Sequence, residues 1–232
     1  MSPKYLGVGL ASALAVLTLM LTVTGRLQLY INTSQAWFAC GMAVLILLGS
    51  VAAVAIRPAD DHDHDHDHGS SSRAGAVAGA VGAGVATVVA VGALILPPAT
   101  LSAELAMERD TGTPPLFAGA DDVQLGVVDT SAFGVGDWSA VFATATNPER
   151  YAGETVTLTG FMTDGSLSRL VITHCVVDAQ TATLPLDGDV SGLETGDWVE
   201  VTGDVEIDDD GRLVVAATGV TKVDEPRDPY EY

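Results

Sequence analysis

Charged residues, aromatic residues and cysteines are all scarce in this chain. Charged residues make up 17% of its 232 residues, aromatic residues make up 6%, and there are only two cysteines, Cys40 and Cys175. Because Cys40 falls inside an apolar run, these two cysteines provide no disulfide framework. Basic residues are few as well, since 10 Lys and Arg oppose 30 Asp and Glu for a net charge of −20. So acidic a protein repels phosphate backbones, and nucleic acid is not an expected partner.

Three long uncharged runs dominate the amino-terminal part, at residues 5–25, 36–56 and 74–96. A helix rises 1.5 Å per residue, so each run can cross a bilayer core of about 30 Å. The sequence therefore predicts a membrane α + β protein, with three transmembrane helices in residues 1–98 and the lipid bilayer as a partner. A cleaved signal peptide is the rival interpretation of the first run, but no convincing small-x-small cleavage site follows it and two more apolar runs do, which favours a retained span.

The third run differs from the others in its small residues. Gly75, Gly79 and Ala83 recur every four residues, which places a smooth ridge on one helix face. Such a ridge permits close approach to another helix, either within this chain or in a separate subunit.

Basic residues near the runs predict the orientation. Lys4, Arg57 and Arg73 favour a cytoplasmic amino terminus and a cytoplasmic second loop, although Arg26 lies in the first loop. Three crossings would then place the carboxyl-terminal domain outside the cytoplasm, in a multi-pass protein of the plasma membrane.

The second half has the pattern of a small β domain. Residues 99–136 are predicted to form a tether with a short helix at 101–109, and residues 137–232 to form the domain. A helix is expected at 137–146, with Asp137 as its N-cap. Five strands are expected within "ETVTLTGFMT", "LSRLVITHCVV", "TATLPL", "DWVEVTGDVEI" and "RLVVAATGVTKV". So many strands in so short a stretch predict an OB-like β-barrel.

Several segments carry a family resemblance: "NPERYAGETVTLTGFM", "RLVITHCVVDA", "GDWVEVTGDV", the terminal "PYEY" and the earlier "LPPATLSAELAMERD". In this combination and order, the chain resembles the YcgQ-like family of small bacterial membrane proteins. The resemblance implies one subunit of a two-component permease, whose partner is a larger multispanning YcgR-like permease.

The chain departs from this family's pattern at His174, where the family usually has the first of two adjacent cysteines. A histidine keeps a metal ligand but removes a vicinal dithiol. His174, Cys175 and Asp178 are therefore a candidate metal site. Neighbouring side chains on a strand point to opposite faces, so such a site needs a bulge or a strand end. The alternative is a surface histidine beside a small buried cysteine.

A second candidate metal site lies between the second and third runs, in the stretch "RPADDHDHDHDHGSSSR", residues 57–73. Alternating imidazoles and carboxylates on one flexible loop suit zinc, nickel or cobalt. The alternative is an acidic solvated linker. The predicted ligands are His62, His64, His66, His68, Asp61, Asp63, Asp65 and Asp67.

No nucleophile elbow, phosphate-binding loop or zinc-hydrolase motif is present, so an enzyme is not expected. No cofactor is required, beyond a possible divalent transition metal such as zinc. The first functional hypothesis is an accessory integral-membrane subunit of a permease, linked to divalent-metal handling. The second is a membrane-anchored extracytoplasmic binding or sensing module with no transport role.

Overall fold

A computed structural model describes residues 3–55, 100–109 and 130–232, together with residues 84, 85, 88 and 92. The chain divides into two compact units. The first comprises Met1–Gln28 and Thr33–Ala99, and the second comprises Leu29–Asn32 and Thr100–Tyr232. The tetrapeptide Leu29–Asn32 therefore belongs to the second unit, although it lies between the two amino-terminal helices in sequence.

The continuous described part of the first unit, residues 3–55, forms two apolar helices, α1 (Pro3–Val23) and α2 (Ala36–Ala55), which pack against each other. Ala15 and Ala43 are almost fully buried, so small side chains occupy the helix contact. Hydroxyl groups inside α1 are satisfied locally, as where Thr22 Oγ1 donates to the carbonyl of Thr18 at 2.8 Å. The helices thus expose few unpaired polar groups on otherwise apolar surfaces.

One helix among the described residues, Thr33–Ala55, is long and apolar enough to cross a membrane. Its mean hydropathy is 2.4 and only 6% of it is buried, although a signal sequence near the amino terminus passes the same test. The first predicted span forms α1, but its described apolar part, Gly7–Val23, is shorter than a span requires. The third predicted span, 74–96, lies outside the described residues except for four positions. One of the three predicted spans therefore has the expected length in the described part of the chain.

The second unit is built around a closed five-stranded β-barrel, which agrees with the predicted small barrel. Antiparallel pairs join β1 to β2, β2 to β3, β4 to β5 and β1 to β4, and β3 pairs with β5 in parallel to close the ring. A short sixth strand pairs in parallel with β2. The strands are β1 (Thr155–Thr163), β2 (Ser166–Val171), β3 (Gln180–Asp187), β4 (Trp198–Ile207), β5 (Leu213–Lys222) and β6 (Tyr230–Glu231).

Alternating residues along the strands fill the barrel. Leu158, Leu184, Val199 and Val215 are all buried in one core cluster, as the period of two along a strand requires. The sheet bends at a register shift between Thr202 and Gly203 in β4. A bulge of this kind increases the local twist, which helps five strands to close.

A helix covers one end of this core, and it begins earlier than the sequence predicted. It spans Val135–Thr144 and is here named α4; a shorter helix, α3, spans Ala103–Arg109. Gly134, not Asp137, is the N-cap, and Asp137 Oδ2 accepts the main-chain N–H of Gly134 at 3.0 Å. The prediction of Asp137 as N-cap was wrong because Asp137 is the third residue of the helix. Its carboxylate bonds back to the N–H of the true N-cap, Gly134. Trp138 and Val141 are buried in the core, as their helical spacing predicted.

Candidate functional site

The predicted strand through His174 and Cys175 ends sooner than expected. Strand β2 stops at Val171, and a single 3-10 turn follows at Val176–Asp178. The strand end required for a shared His174 and Cys175 site is therefore present. The chain brings His174, Cys175 and Asp178 together in one turn, which we call the β2 turn (residues 172–178).

Asp178 organises this turn by accepting hydrogen bonds rather than by remaining free. Its carboxylate accepts the main-chain N–H groups of Thr173 at 3.1 Å, His174 at 2.9 Å and Cys175 at 3.3 Å. Partial burial raises the pKa of Asp178, but these N–H groups and the His174 side chain outweigh it, so the net pKa lies below its usual value. Since its lone pairs are already engaged, Asp178 orients the turn better than it would ligate a metal.

His174 is held by the same carboxylate. Its Nδ1 lies 3.0 Å from Asp178 Oδ2, and its side chain is 70% exposed. An ionised carboxylate only accepts hydrogen bonds, so Nδ1 is the ring nitrogen that donates to Asp178, and Nε2 is the ring nitrogen left for another partner. A carboxylate behind an imidazole is the usual way to orient a histidine that binds a metal.

Few possible metal ligands lie around His174, however. Within the described ranges, no group of three or more His, Cys, Asp or Glu side chains is arranged to hold a metal ion. Cys175 is a free, half-buried thiol. A metal at His174 would need ligands from outside the described residues, and this site stays a prediction.

The loop between the two apolar helices is hydrogen-bonded to the β2 turn. Ile31 forms an isolated antiparallel bridge with Cys175. The main-chain N–H of Asn32 donates to the carbonyl of His174 at 3.0 Å, and the N–H of Val176 donates to the carbonyl of Tyr30 at 3.0 Å. The loop thus adds one more extended segment at the end of β2.

The side chain of Asn32 strengthens this junction. Its Nδ2 donates to the carbonyls of Ile172 at 3.2 Å and Thr173 at 3.0 Å, and the residue is buried. A buried amide with specific partners fixes the register of the loop. We call these contacts, made by Leu29–Asn32 on the β2 turn, the loop clamp.

Helix α3 supports the opposite side of the β2 turn. Arg109 Nη1 donates to the carbonyls of Val176 at 3.0 Å and Ala179 at 3.2 Å. Thr181 Oγ1 donates to the carbonyl of Ala106 at 2.6 Å, which ties α3 to the start of β3. The turn is therefore held between two segments that are distant from it in sequence.

A polar cavity of about 350 Å³ lies at another edge of the barrel, between the start of α4, strand β2 and strand β6. Sequence reasoning missed it because "EPRDPYEY" has no strand period. The signals that could have found it are a lone arginine within the otherwise uncharged "SLSRLV" and an acidic residue between two terminal tyrosines. The charged and aromatic residues that line it are Asp137, Arg169, Asp228, Tyr230, Glu231 and Tyr232.

Glu231 is the centre of this cavity's polar network. Its carboxylate accepts the N–H of Val135 at 3.0 Å and the N–H of Gly136 at 2.6 Å. Both N–H groups lie in the first turn of α4, where the helix itself offers them no acceptor. Burial raises the pKa of Glu231, and the N–H groups of Gly136 and Val135 and the charge of Arg169 work against that rise. Arg169 Nε lies 4.0 Å from Glu231 Oε1. The carboxylate therefore acts as a built-in anion at a helix amino terminus.

Arg169 is buried beside Glu231 and is engaged on several sides. Nη1 donates to the carbonyl of Thr159 at 2.6 Å, Nη2 donates to the carbonyl of Asp228 at 2.8 Å, and the guanidinium lies 5.2 Å from the ring centre of Trp198. Burial lowers the pKa of Arg169, and the charges of Glu231 and Asp228 oppose that effect. Arg169 Nε is buried without a hydrogen-bond partner.

The His/Asp run predicted as the other metal site, at His62, His64, His66 and His68, lies outside the described residues. Its metal binding stays a prediction.

The described parts define a protein class: apolar amino-terminal helices followed by a five-stranded mixed β-barrel. The chain belongs to the DUF1980 family, since the DUF1980 N-terminal domain matches residues 10–112 and the DUF1980 C-terminal domain matches residues 138–232. No curated protein and no solved structure matches the chain.

Proposed function

We propose that this protein is an accessory integral-membrane subunit, multi-pass in the bacterial plasma membrane, which holds its β-barrel domain at the extracytoplasmic surface. The loop clamp is the observation that supports this function. Asn32 is bonded to the β2 turn, and the next residue, Thr33, begins the candidate span. A domain attached in this way is held at the membrane rather than suspended on a long linker.

The clamp also favours more than one crossing. If Thr33–Ala55 crosses the bilayer, Ala55 lies on the side opposite to the loop and the β domain that binds it. The chain must then return before Thr100, where the second unit resumes. The only run in residues 56–99 that is uncharged and long enough to do so is 74–96. A β domain that stays on the side of Asn32 therefore requires an even number of crossings between Asn32 and Thr100, which the predicted third span would supply.

The expected partner is a larger multispanning permease, because three helices are too few to build a conventional transport path. The Gly75, Gly79 and Ala83 ridge of the third run offers it a close-packing face. The His/Asp run would concentrate a divalent transition metal such as zinc on the cytoplasmic side.

Co-purification from native membranes tests this function. A tagged wild-type chain should bring down a multispanning protein, and Gly79→Leu should abolish the association by widening the ridge. A matched change at a lipid-facing position, Val51→Leu, should leave it intact, since Val51 is 67% exposed. Recovery of the wild-type chain without any multispanning partner would contradict the permease assignment.

The polar cavity favours a second candidate, a membrane-anchored binding or sensing module with no transport role. About 350 Å³ of space lined by charged and hydroxyl groups suits a small polar ligand. On this alternative the spans are only anchors, so Gly79→Leu should leave function unchanged. Partner dependence therefore separates the two candidates.

A further inference from the structure

The β2 turn carries an exposed apolar side chain beside the loop clamp. Val177 is 82% exposed, whereas the other exposed large apolar residues in the described part of the second unit, Tyr30 and Ile207, are each 37% exposed. Tyr30 and Val177 belong to the same hydrogen-bonded junction, because the carbonyl of Tyr30 accepts the N–H of Val176. Two of the three exposed apolar side chains are thus gathered at one edge of the domain.

We propose that this edge, Leu29–Asn32 with Val176–Asp178, lies against the lipid bilayer and that Val177 inserts between the lipid headgroups. The proposal rests on the membrane-spanning role proposed above. Its occupant is lipid because the edge is continuous with the candidate span: Asn32 Nδ2 lies 3.0 Å from the carbonyl oxygen of Thr173, and Thr33 begins the span. Adjacent Cα atoms are 3.8 Å apart, so Asn32, which contacts Thr173, is only one residue step from Thr33, the first residue of the candidate span.

Several main-chain groups of the β2 turn and of the next residue, Ala179, already have hydrogen-bond partners within the domain. The carbonyls of Val176 and Ala179 accept Arg109 Nη1, and the N–H of Asp178 donates to the carbonyl of Cys175 at 2.9 Å. Polar main-chain groups without partners are costly near hydrocarbon, and these groups already have partners. Moving an 82% exposed valine out of water is favourable in itself.

The position of Trp37 is also consistent with a membrane–water interface close to the loop clamp. It lies at the start of α2 and is 75% exposed. Indole rings concentrate at the membrane–water interface. The chain would reach the headgroup level at Thr33–Trp37, within five residues of the end of the clamp at Asn32.

Fluorescence quenching in reconstituted vesicles tests the proposal. The full-length chain with Cys40→Ala and Cys175→Ala carries an environment-sensitive dye at Val177→Cys, in vesicles of phosphatidylcholine and phosphatidylglycerol. The matched control carries the dye at Ile207→Cys. Ile207 is the last residue of β4 and is not part of the loop clamp. A lipid-borne nitroxide near the headgroup should quench position 177 several-fold more than position 207, and aqueous iodide should do the reverse.

Equal quenching at the two positions, or strong iodide quenching at 177, would overturn the proposal. A dye at 177 that is shielded from both quenchers in native membranes would indicate a protein partner and would overturn it as well. Since Cys175 lies in the turn, a second version retains both cysteines and uses brominated lipids. It compares the quenching of Val177→Trp with that of Ile207→Trp and of the wild type, whose Trp37, Trp138 and Trp198 give the background, and only Val177→Trp should show added quenching. A chain that is extracted by alkaline carbonate fails the membrane-spanning proposal itself, which is a distinct outcome.

Discussion

The side-chain amide of Asn32 donates to the main-chain oxygen of Thr173 at 3.0 Å, although 141 positions separate them in sequence. This contact joins the loop after the first apolar helix to the turn after the second barrel strand. It is buried, so replacing the amide would remove a hydrogen-bond donor from the carbonyls of both Ile172 and Thr173. The contact makes the loop Leu29–Asn32 part of the β domain, although the loop lies between the two amino-terminal helices in sequence.

A disulfide should form across the loop clamp. Ile31 and Cys175 are bridge partners, and directly opposed residues on antiparallel segments have Cα separations of about 4.5–5.5 Å, within disulfide range. Ile31→Cys in a Cys40→Ala background should oxidise to a crosslinked form, seen as altered mobility on a non-reducing gel. Tyr30→Cys is the control, because its side chain points to the other face of the same segment. Equal crosslinking at both positions would show that the register of the clamp is wrong.

Glu231 should be a major contributor to the stability of the β domain. Glu231→Ala leaves two N–H groups of α4 without an acceptor and the buried Arg169 without its counter-ion. We expect a loss of about 2–3 kcal/mol in the free energy of unfolding, measured by denaturant titration in detergent. Glu206→Ala is the matched control on the exposed face of β4 and should change the free energy by less than about 0.5 kcal/mol. Similar losses in both variants would remove the special role of Glu231.

Asp178 should give the β2 turn a pH dependence in the acid range. Its folded-state pKa is lowered, so its stabilisation is complete above the unfolded value of about 3.9 and is lost as the pH falls through the folded value. The difference in stability between wild type and Asp178→Asn should therefore be constant at neutral pH and shrink below about pH 4. Thermal unfolding across this range measures it, with Asp209→Asn in an exposed hairpin turn as the control. A difference that grows on acidification would contradict the assigned sign.

The His/Asp run should hold most of the protein's capacity for divalent metal. Deleting residues 60–68 removes four imidazoles and their intervening carboxylates, so zinc stoichiometry by equilibrium dialysis should fall sharply. His174→Ala should change it little, because the described part of the chain gathers no three-ligand group around His174. An unchanged stoichiometry after the deletion would refute the loop assignment.

Periodicity predicted the parts of this fold that depend on local pattern. Alternating residues such as Val156 and Leu158 indicated strands, and the spacing of Trp138 and Val141 indicated a buried helix face. The end of β2 could not be predicted, because five of the seven residues in "VITHCVV" are β-branched, and the strand ends before the turn in which Asp178 accepts three N–H groups. The sixth strand has two residues, too few to show any period.

The junctions that define the candidate sites depend on contacts between distant residues. Nothing near Asn32 indicates that its amide will meet Thr173, and nothing near Glu231 indicates that its carboxylate will cap α4. His174 could be singled out as unusual beside Cys175, but its orientation by Asp178 depends on the turn geometry. Residue types in the sequence indicated which side chains could bind a metal or take part in hydrogen bonds. The tertiary fold determines which of these side chains are used for hydrogen bonds within the domain.

The account depends most directly on the β domain and the His/Asp run lying on opposite sides of one membrane. Two single-cysteine chains, Asp209→Cys and Asp65→Cys, each with Cys40→Ala and Cys175→Ala, test it with a membrane-impermeant maleimide. The account predicts that Asp209→Cys is labelled in intact cells freed of their outer barriers, and Asp65→Cys only after the membrane is permeabilised. Labelling of both positions under the same condition would contradict it.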